Sequence, residues 1–305
     1  MAIRHTYASG DDLRDYLAGT SYSSGWTSDS GSIRRLLEAA SRLIDDYTDG
    51  GSFGPSTETR AYDIGRGSLI QSPQYNVLTG RDAIATSETR AGVIPLDGWL
   101  ISTTTVTSYD ATDRGASTVL TEGYNNDFLL MPYNESPKTI FKLNEDTTNT
   151  LDSGQQTFTI LGSWGFSADT ISVTTADAIA STTATTISVT SATDFGPAQA
   201  MLIDSEQFYI TAISGNTLTV ERGVNGTTAA THSAAATAYK FDYPSLVVQA
   251  TLDIAKLLFR NRDMGSGGSI GGGEMAMTTN AAEIGSVLHT LDQFRAVGTS
   301  NGVIF

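Results

Sequence analysis

SIRRLLEAASRLIDDYT, residues 32–48, is the most regular stretch of this sequence. Its apolar positions, Ile33, Leu36, Leu37, Ala40, Leu43, Ile44 and Tyr47, return every three or four residues. That period lines them along one stripe of an α-helix. Asp49-Gly50-Gly51 follows and stops the helix, since glycine accepts the left-handed backbone of a C-terminal cap. Arg34, Arg35 and Arg42 fall on or beside the opposite face. Upstream, Ser9 reads as an N-cap, with Asp11 and Asp12 in the first turn. Leu13, Tyr16 and Leu17 form the buried face of that short helix, and Gly19 ends it. The two helices are expected to pack as a pair.

Past Gly51 the period changes from helical to alternating, beginning with Thr57 to Tyr62. Further strands are predicted at 93–96, 99–108, 117–121, 127–131, 138–143 and 156–161. Pro95, Asp97-Gly98, Asn125-Asn126, Pro132 and Ser153-Gly154 punctuate them as turns. From Ala168 to Lys240 the chain becomes Thr, Ser and Ala with short aliphatic runs. Thr170-Ile171-Ser172-Val173-Thr174 recurs there as Thr186-Ile187-Ser188-Val189-Thr190. Strands are predicted at 200–204, 207–213 and 217–221. This stretch reads as a small β domain inserted into a larger fold, peripheral enough to be removed. Helix returns after Pro244, with Val247, Ala250, Thr251, Ile254, Leu257 and Leu258 on one face. A glycine-rich loop spans Gly265 to Gly273, and Asn280 with Glu283 gives a capping box for a last helix.

Composition narrows the chemistry. The 305 residues carry 33 acidic and 18 basic side chains, a net charge of −15, and charged residues are only 17% of the total. Nothing forms a basic stripe that would grip a phosphate backbone. The absence of cysteine excludes disulfides, thiolate metal sites and a cysteine nucleophile. Met1 to Tyr7 lacks the apolar core of a secretory signal, and no apolar run approaches the ~18 residues of a membrane helix. Gly267-Gly268-Ser269-Ile270-Gly271 matches a nucleophile elbow in letters, but it follows a helix inside a glycine run and reads as a loop. Asp45 to Gly50 resembles the start of a calcium loop, but it places Tyr47 at the third ligand position. Asp204 and Glu206 alternate on a strand and read as its solvated face. His232 sits in a loop with no base in sight. No catalytic site, cofactor site or metal site is expected.

The order of parts resembles the tailed-phage head-to-tail connector (adaptor) proteins. Tyr7-Ala8-Ser9-Gly10-Asp11-Asp12-Leu13-Arg14-Asp15-Tyr16-Leu17 looks like their first helix, and Leu36 to Tyr47 is similar to their second. Phe53 and the strand Thr57 to Asp63 follow in the family's order. Leu129-Leu130-Met131-Pro132 with Pro137, and Gly162-Ser163-Trp164-Gly165-Phe166, resemble its later β segment. Pro244 to Arg262 is similar to its third helix. The likeness covers roughly 1–167 and 243–297. Glu221-Arg222-Gly223-Val224-Asn225-Gly226-Thr227-Thr228-Ala229-Ala230 looks like a segment that recurs in phage virion proteins. The stretch Gly65 to Gly92 is longer than the family's pattern, and the insert lies outside it.

The resemblance implies an α+β chain: a small α-helical bundle core with a β-rich middle segment and an inserted small all-β domain. The expected division is 1–167 and 243–305 for the connector core and 168–242 for the insert. The resemblance also implies a structural virion protein, not an enzyme. It would form a homo-oligomeric ring, a dodecamer in the family, that docks on the portal protein and meets the tail or the next connector (stopper) protein. Genomic DNA would pass through the lumen without specific binding, and no membrane would be involved. Its place would be the virion neck, reached from the host cytoplasm during assembly. Leu36, Leu37, Ala40, Leu43, Ile44, Ile254 and Leu258 are the expected helix core. Gly265, Gly267, Gly268, Gly271, Gly272 and Gly273 form the expected flexible loop, and Val303, Ile304 and Phe305 an apolar portal-docking tip. A rival reading is a decoration or carbohydrate-binding protein using aromatics of the insert: Phe195, Phe208, Tyr209 and Tyr239.

Overall fold

The computed structural model describes residues 3–18, 31–64, 75–76, 81–82, 93–113, 115–144, 147–152, 154–264 and 282–295. Two six-stranded antiparallel sheets dominate it; strand accounts for 39% and helix for 23%. The expected helical-bundle core is therefore corrected to a mostly β architecture. Four helices occur among the described residues: α1 (Gly10–Tyr16), α2 (Gly31–Thr48), α3 (Ser245–Met264) and α4 (residues 282–289). None is long and apolar enough to cross a membrane. The first three do touch one another, with Leu13, Leu37 and Ile254 all buried. They do not enclose a core alone, because two separate β cores bury the larger share of the big side chains.

The chain divides into two compact units. One takes residues 1–48, 52–54 and 168–295; the other is chiefly 55–167. The helices and the 168–242 stretch, which the sequence places in different domains, thus fall in one unit.

The 55–167 unit holds β1 (Ser56–Ile64), β4 (Val93–Tyr109), β5 (Ser117–Leu120), β6 (Phe128–Met131), β7 (Lys138–Leu143) and β8 (Gly154–Trp164). A two-stranded ribbon, β2 (Tyr75–Asn76) with β3 (Arg81–Asp82), lies between β1 and β4 in the chain. The sheet order is β1-β8-β4-β7-β6, with β5 on β4. β4 is longer than expected: Pro95 and Asp97-Gly98, expected to be turns, lie inside it at a register shift, with Gly98 at φ 109. A bulge absorbs them without ending the strand. Phe128 stacks on Phe141 at 4.8 Å and Phe158 meets Phe141 tilted at 4.6 Å, over Ile160, Val106 and Trp164. Gly162 of the Gly-Ser-Trp-Gly-Phe motif has no room for a Cβ, because the Ser102 carbonyl packs against it. The Trp164 indole donates to the Glu58 carbonyl at 3.2 Å and lies under the Arg60 guanidinium.

In the other unit the sheet order is β10-β13-β12-β11-β14-β9, comprising β9 (Thr170–Ala176), β10 (Thr186–Ser188), β11 (Ala200–Ile203), β12 (Glu206–Ser214), β13 (Thr217–Arg222) and β14 (Ala236–Phe241). The internal repeat supplies the two edge strands, β9 and β10. Those edges meet: Ala176 bridges Val189, Thr190 N–H donates to the Thr175 carbonyl at 2.9 Å, and the Thr174 and Thr190 hydroxyls are 2.6 Å apart. Thr174 and Thr190 are equivalent positions of the repeat. The sheet so curls around Met201, Ile203, Phe208, Ile210, Leu218 and Val220, and the ends of its two edge strands pair with each other.

Candidate functional site

Two buried polar clusters lie in the helix-containing unit, and the extended segment Ile3–Ser9 links them. At its C-terminal end, Ser9 caps α1 by the reciprocal capping box with Asp12. Gly10 N–H donates to the Pro197 carbonyl at 2.8 Å, which ties this corner to the curled sheet. At the other end, Arg4 N–H donates to Asn225 Oδ1 at 2.6 Å, and the Arg4 guanidinium reaches Glu38 (3.1 Å) and Glu221 (3.3 Å). Arg42 of α2 donates to the His5 carbonyl at 2.8 Å.

The first cluster centres on Tyr7, which is 2% exposed. Its hydroxyl donates to the Asp45 carboxylate and lies 3.3 Å from Ser52 Oγ, while Phe53 N–H donates to it at 3.0 Å. Arg42 sits 3.0 Å from the other Asp45 oxygen. The Tyr7 ring meets Phe53 and Tyr243 edge-on at 5.5 and 4.9 Å. Burial pushes the Asp45 carboxyl up to about 7, against the pull of Arg42 and the Tyr7 hydroxyl. Burial, reinforced by the Asp45 charge, also holds the Tyr7 phenol well above its ordinary value. His5 extends the network. Because a backbone N–H can only donate, Asn225 turns Oδ1 to Arg4 and Nδ2 to His5 Nε2 (3.0 Å) and Gln207 Oε1 (2.8 Å). His5 Nε2 therefore accepts, leaving Nδ1–H to face the Tyr243 hydroxyl at 3.1 Å.

The second cluster corrects two expectations. Glu206 is not on a solvated face but fully buried, and His232 has a carboxylate at each nitrogen. Arg222, from the neighbouring strand β13, grips both Glu206 oxygens at 2.9 and 2.6 Å, and Gly223 and Ala230 N–H groups donate to them as well. Burial acts to raise the Glu206 pKa, but these bonds and that from His232 outweigh it and hold the carboxyl below its ordinary value. His232 Nδ1 lies 2.7 Å from Asp204 and Nε2 2.9 Å from Glu206. With a carboxylate at each ring nitrogen, the imidazole bridges Asp204 and Glu206. The cluster explains the Arg222-Gly223-Val224-Asn225-Gly226-Thr227 segment. Arg222 holds Glu206, Gly223, Asn225 and Gly226 supply positive φ (59, 55 and 85), and Thr227 Oγ1 closes the turn on the Val224 carbonyl. Among the described residues no group of three or more His, Asp or Glu side chains is arranged to hold a metal ion.

Of the expected core positions, Leu37, Ala40, Ile44 and Ile254 are buried, Leu36 and Leu258 are half-buried, and Leu43 is 37% exposed. At about 100° per residue, Leu43 lies more than a quarter-turn from the centre of the buried arc of Ile33, Leu37, Ala40, Ser41, Ile44 and Thr48. The loop glycines 265–273 and the tip Val303, Ile304 and Phe305 lie outside the described residues. The insert aromatics Phe195, Phe208 and Tyr209 are core residues, not an exposed binding face. In the sequence Asp45 reads as part of a helix and of a calcium-loop start, and Tyr7 as part of the N-terminal segment before α1. Their meeting depends on a separation of 38 residues that no local pattern encodes.

No protein-family model matches the chain, and neither does any curated protein or solved structure.

Proposed function

We propose that this chain is a structural protein of a tailed-phage particle: a head-to-tail adaptor whose copies form a ring in the virion neck, docked on the portal and leaving a channel for DNA. The observation that supports the reading is the convergence of segments far apart in sequence. Tyr7 comes from the first resembling segment, Arg42 and Asp45 from the second, Phe53 from the position after it, and Tyr243 from the residue before the third helix; all meet in one buried cluster. Residues that recur in a family without chemistry to perform are expected to be those that fix its fold. The net charge of −15 suits a channel wall, because an acidic lining repels phosphate and lets the genome slide.

Electron microscopy of the purified chain, alone and mixed with portal protein, tests the proposal. Rings, free or stacked on portal, are the expected result. A chain that stays monomeric with and without portal, by microscopy and by sedimentation, removes the adaptor reading.

A further inference from the structure

A concavity of about 940 Å³ lies on the outer face of the β6–β7 hairpin. Phe128, Leu130 and Phe141 point into the core, so Leu129 and its cross-strand partner Lys142 form the floor on the other side. Tyr124 and Tyr133 line the same groove and are 83% and 55% exposed. Single exposed apolar residues are ordinary on any surface. Two aromatic rings on one polar groove, each on a backbone fixed from below, are not.

The fixing is specific. The Asn144 amide donates to the carbonyls of Gly123, Tyr124 and Asn126 at 2.8, 3.3 and 2.8 Å. Asp127 accepts from Thr147, Asn149 and the Thr121 N–H, at 2.6, 2.7 and 2.8 Å. Under the other tyrosine, the Lys138 ammonium donates to the carbonyls of Pro132 (2.5 Å) and Tyr133 (3.1 Å). The loops are thus held before any ligand arrives, which removes an ordering cost from binding. By contrast, Asn125 makes no side-chain hydrogen bond, and Lys142 has no carboxylate within ion-pair distance, among the described residues.

We infer that this groove is a saccharide-binding site, in which Tyr124 and Tyr133 stack on the C–H faces of sugar rings while Asn125 and Lys142 bond their hydroxyl or carboxylate groups. A sugar combines an apolar ring face with a hydroxyl-rich rim, and the groove offers flat rings beside amide and ammonium donors. Asp127 is spent on the frame, so Lys142 is the cation of the lining and favours glycans that carry a carboxylate. The inference does not rest on the adaptor reading, whose test is ring formation.

The full chain should be screened on an array of neutral and uronic-acid-containing oligosaccharides, and the strongest hit titrated by calorimetry. Binding is expected, with at least about tenfold weaker affinity for Tyr124→Ala or Tyr133→Ala and selective loss of uronic-acid glycans for Lys142→Met. Because both rings are exposed, the tyrosine variants should melt with the parent chain. If no array member binds, or if the double tyrosine variant binds as tightly as the parent, the proposal is overturned. It is also overturned if that variant shifts to a smaller oligomer with its glycan signal unchanged, which would assign the face to contact between copies.

Discussion

Replacing Asp45 by Asn isolates the electrostatic cost of the Tyr7 cluster. The Asp45 side chain is 12% exposed, and burial pushes its pKa from 3.8 to about 7 despite Arg42 and the Tyr7 hydroxyl. In the unfolded chain the carboxyl ionises near its ordinary value of ~3.9. Below about pH 4 it is protonated in both states. Between about pH 4 and 7 the unfolded chain has released the proton while the folded chain keeps it, so folding stability falls as pH rises. Above about pH 7 the loss is complete. A shift of about 3 units corresponds to roughly 4 kcal/mol, at about 1.36 kcal/mol per unit. Asn keeps an oxygen to accept the Tyr7 hydroxyl but has no charge to desolvate. Urea unfolding of both proteins from about pH 4 to 8 should therefore show a gap that moves in favour of Asp45→Asn by up to about 4 kcal/mol as pH rises. Other carboxyls titrate equally in both chains and cancel. A gap constant to within about 0.5 kcal/mol, or one moving towards the parent with rising pH, would refute the assignment of a destabilising buried carboxyl.

Glu206→Gln leaves the Arg222 guanidinium, whose side chain is 6% exposed, without its counter-charge, and should cost about 3–5 kcal/mol in urea unfolding. A cost under about 1 kcal/mol would mean water reaches the pair. Leu37→Ala should cost about 2–5 kcal/mol while Leu43→Ala costs under about 1, and equal costs would contradict the buried arc of α2. The sequence reading of a peripheral insert predicts that replacing it by a short Gly/Ser linker from Phe166 to Asp242 leaves ring assembly intact. The bonds of Asn225, Glu221, Pro197 and Tyr209 to the N-terminal segment and α2 now predict loss of helical circular dichroism, and retained helicity would restore the dispensable-module view.

Local patterns settled what depends on neighbours in the chain. The capping box at Ser9, the stripe of α2, the strands of the β1–β8 sheet and β11, β12 and β13 are written within windows of a few residues, because caps and periodic faces are short-range devices. β9 and β10 were visible only as a repeat, and β14 escaped altogether: Ala236–Phe241 contains Ala, Thr and Lys, and it becomes a strand by pairing with β11 and β9. The same limit produced the expectation of a bundle. Helical periodicity is visible in one segment, whereas a sheet core exists only once distant strands pair. Asp204 and Glu206 show the limit at single residues. Alternation put both on one face of a strand, but Asp204 falls in the turn between β11 and β12 with its side chain 63% exposed, while Glu206 opens β12 and is sealed. What sealed it was Arg222 from the neighbouring strand and His232 from a loop 26 residues away, side chains that the sequence could list but only the tertiary structure could bring together.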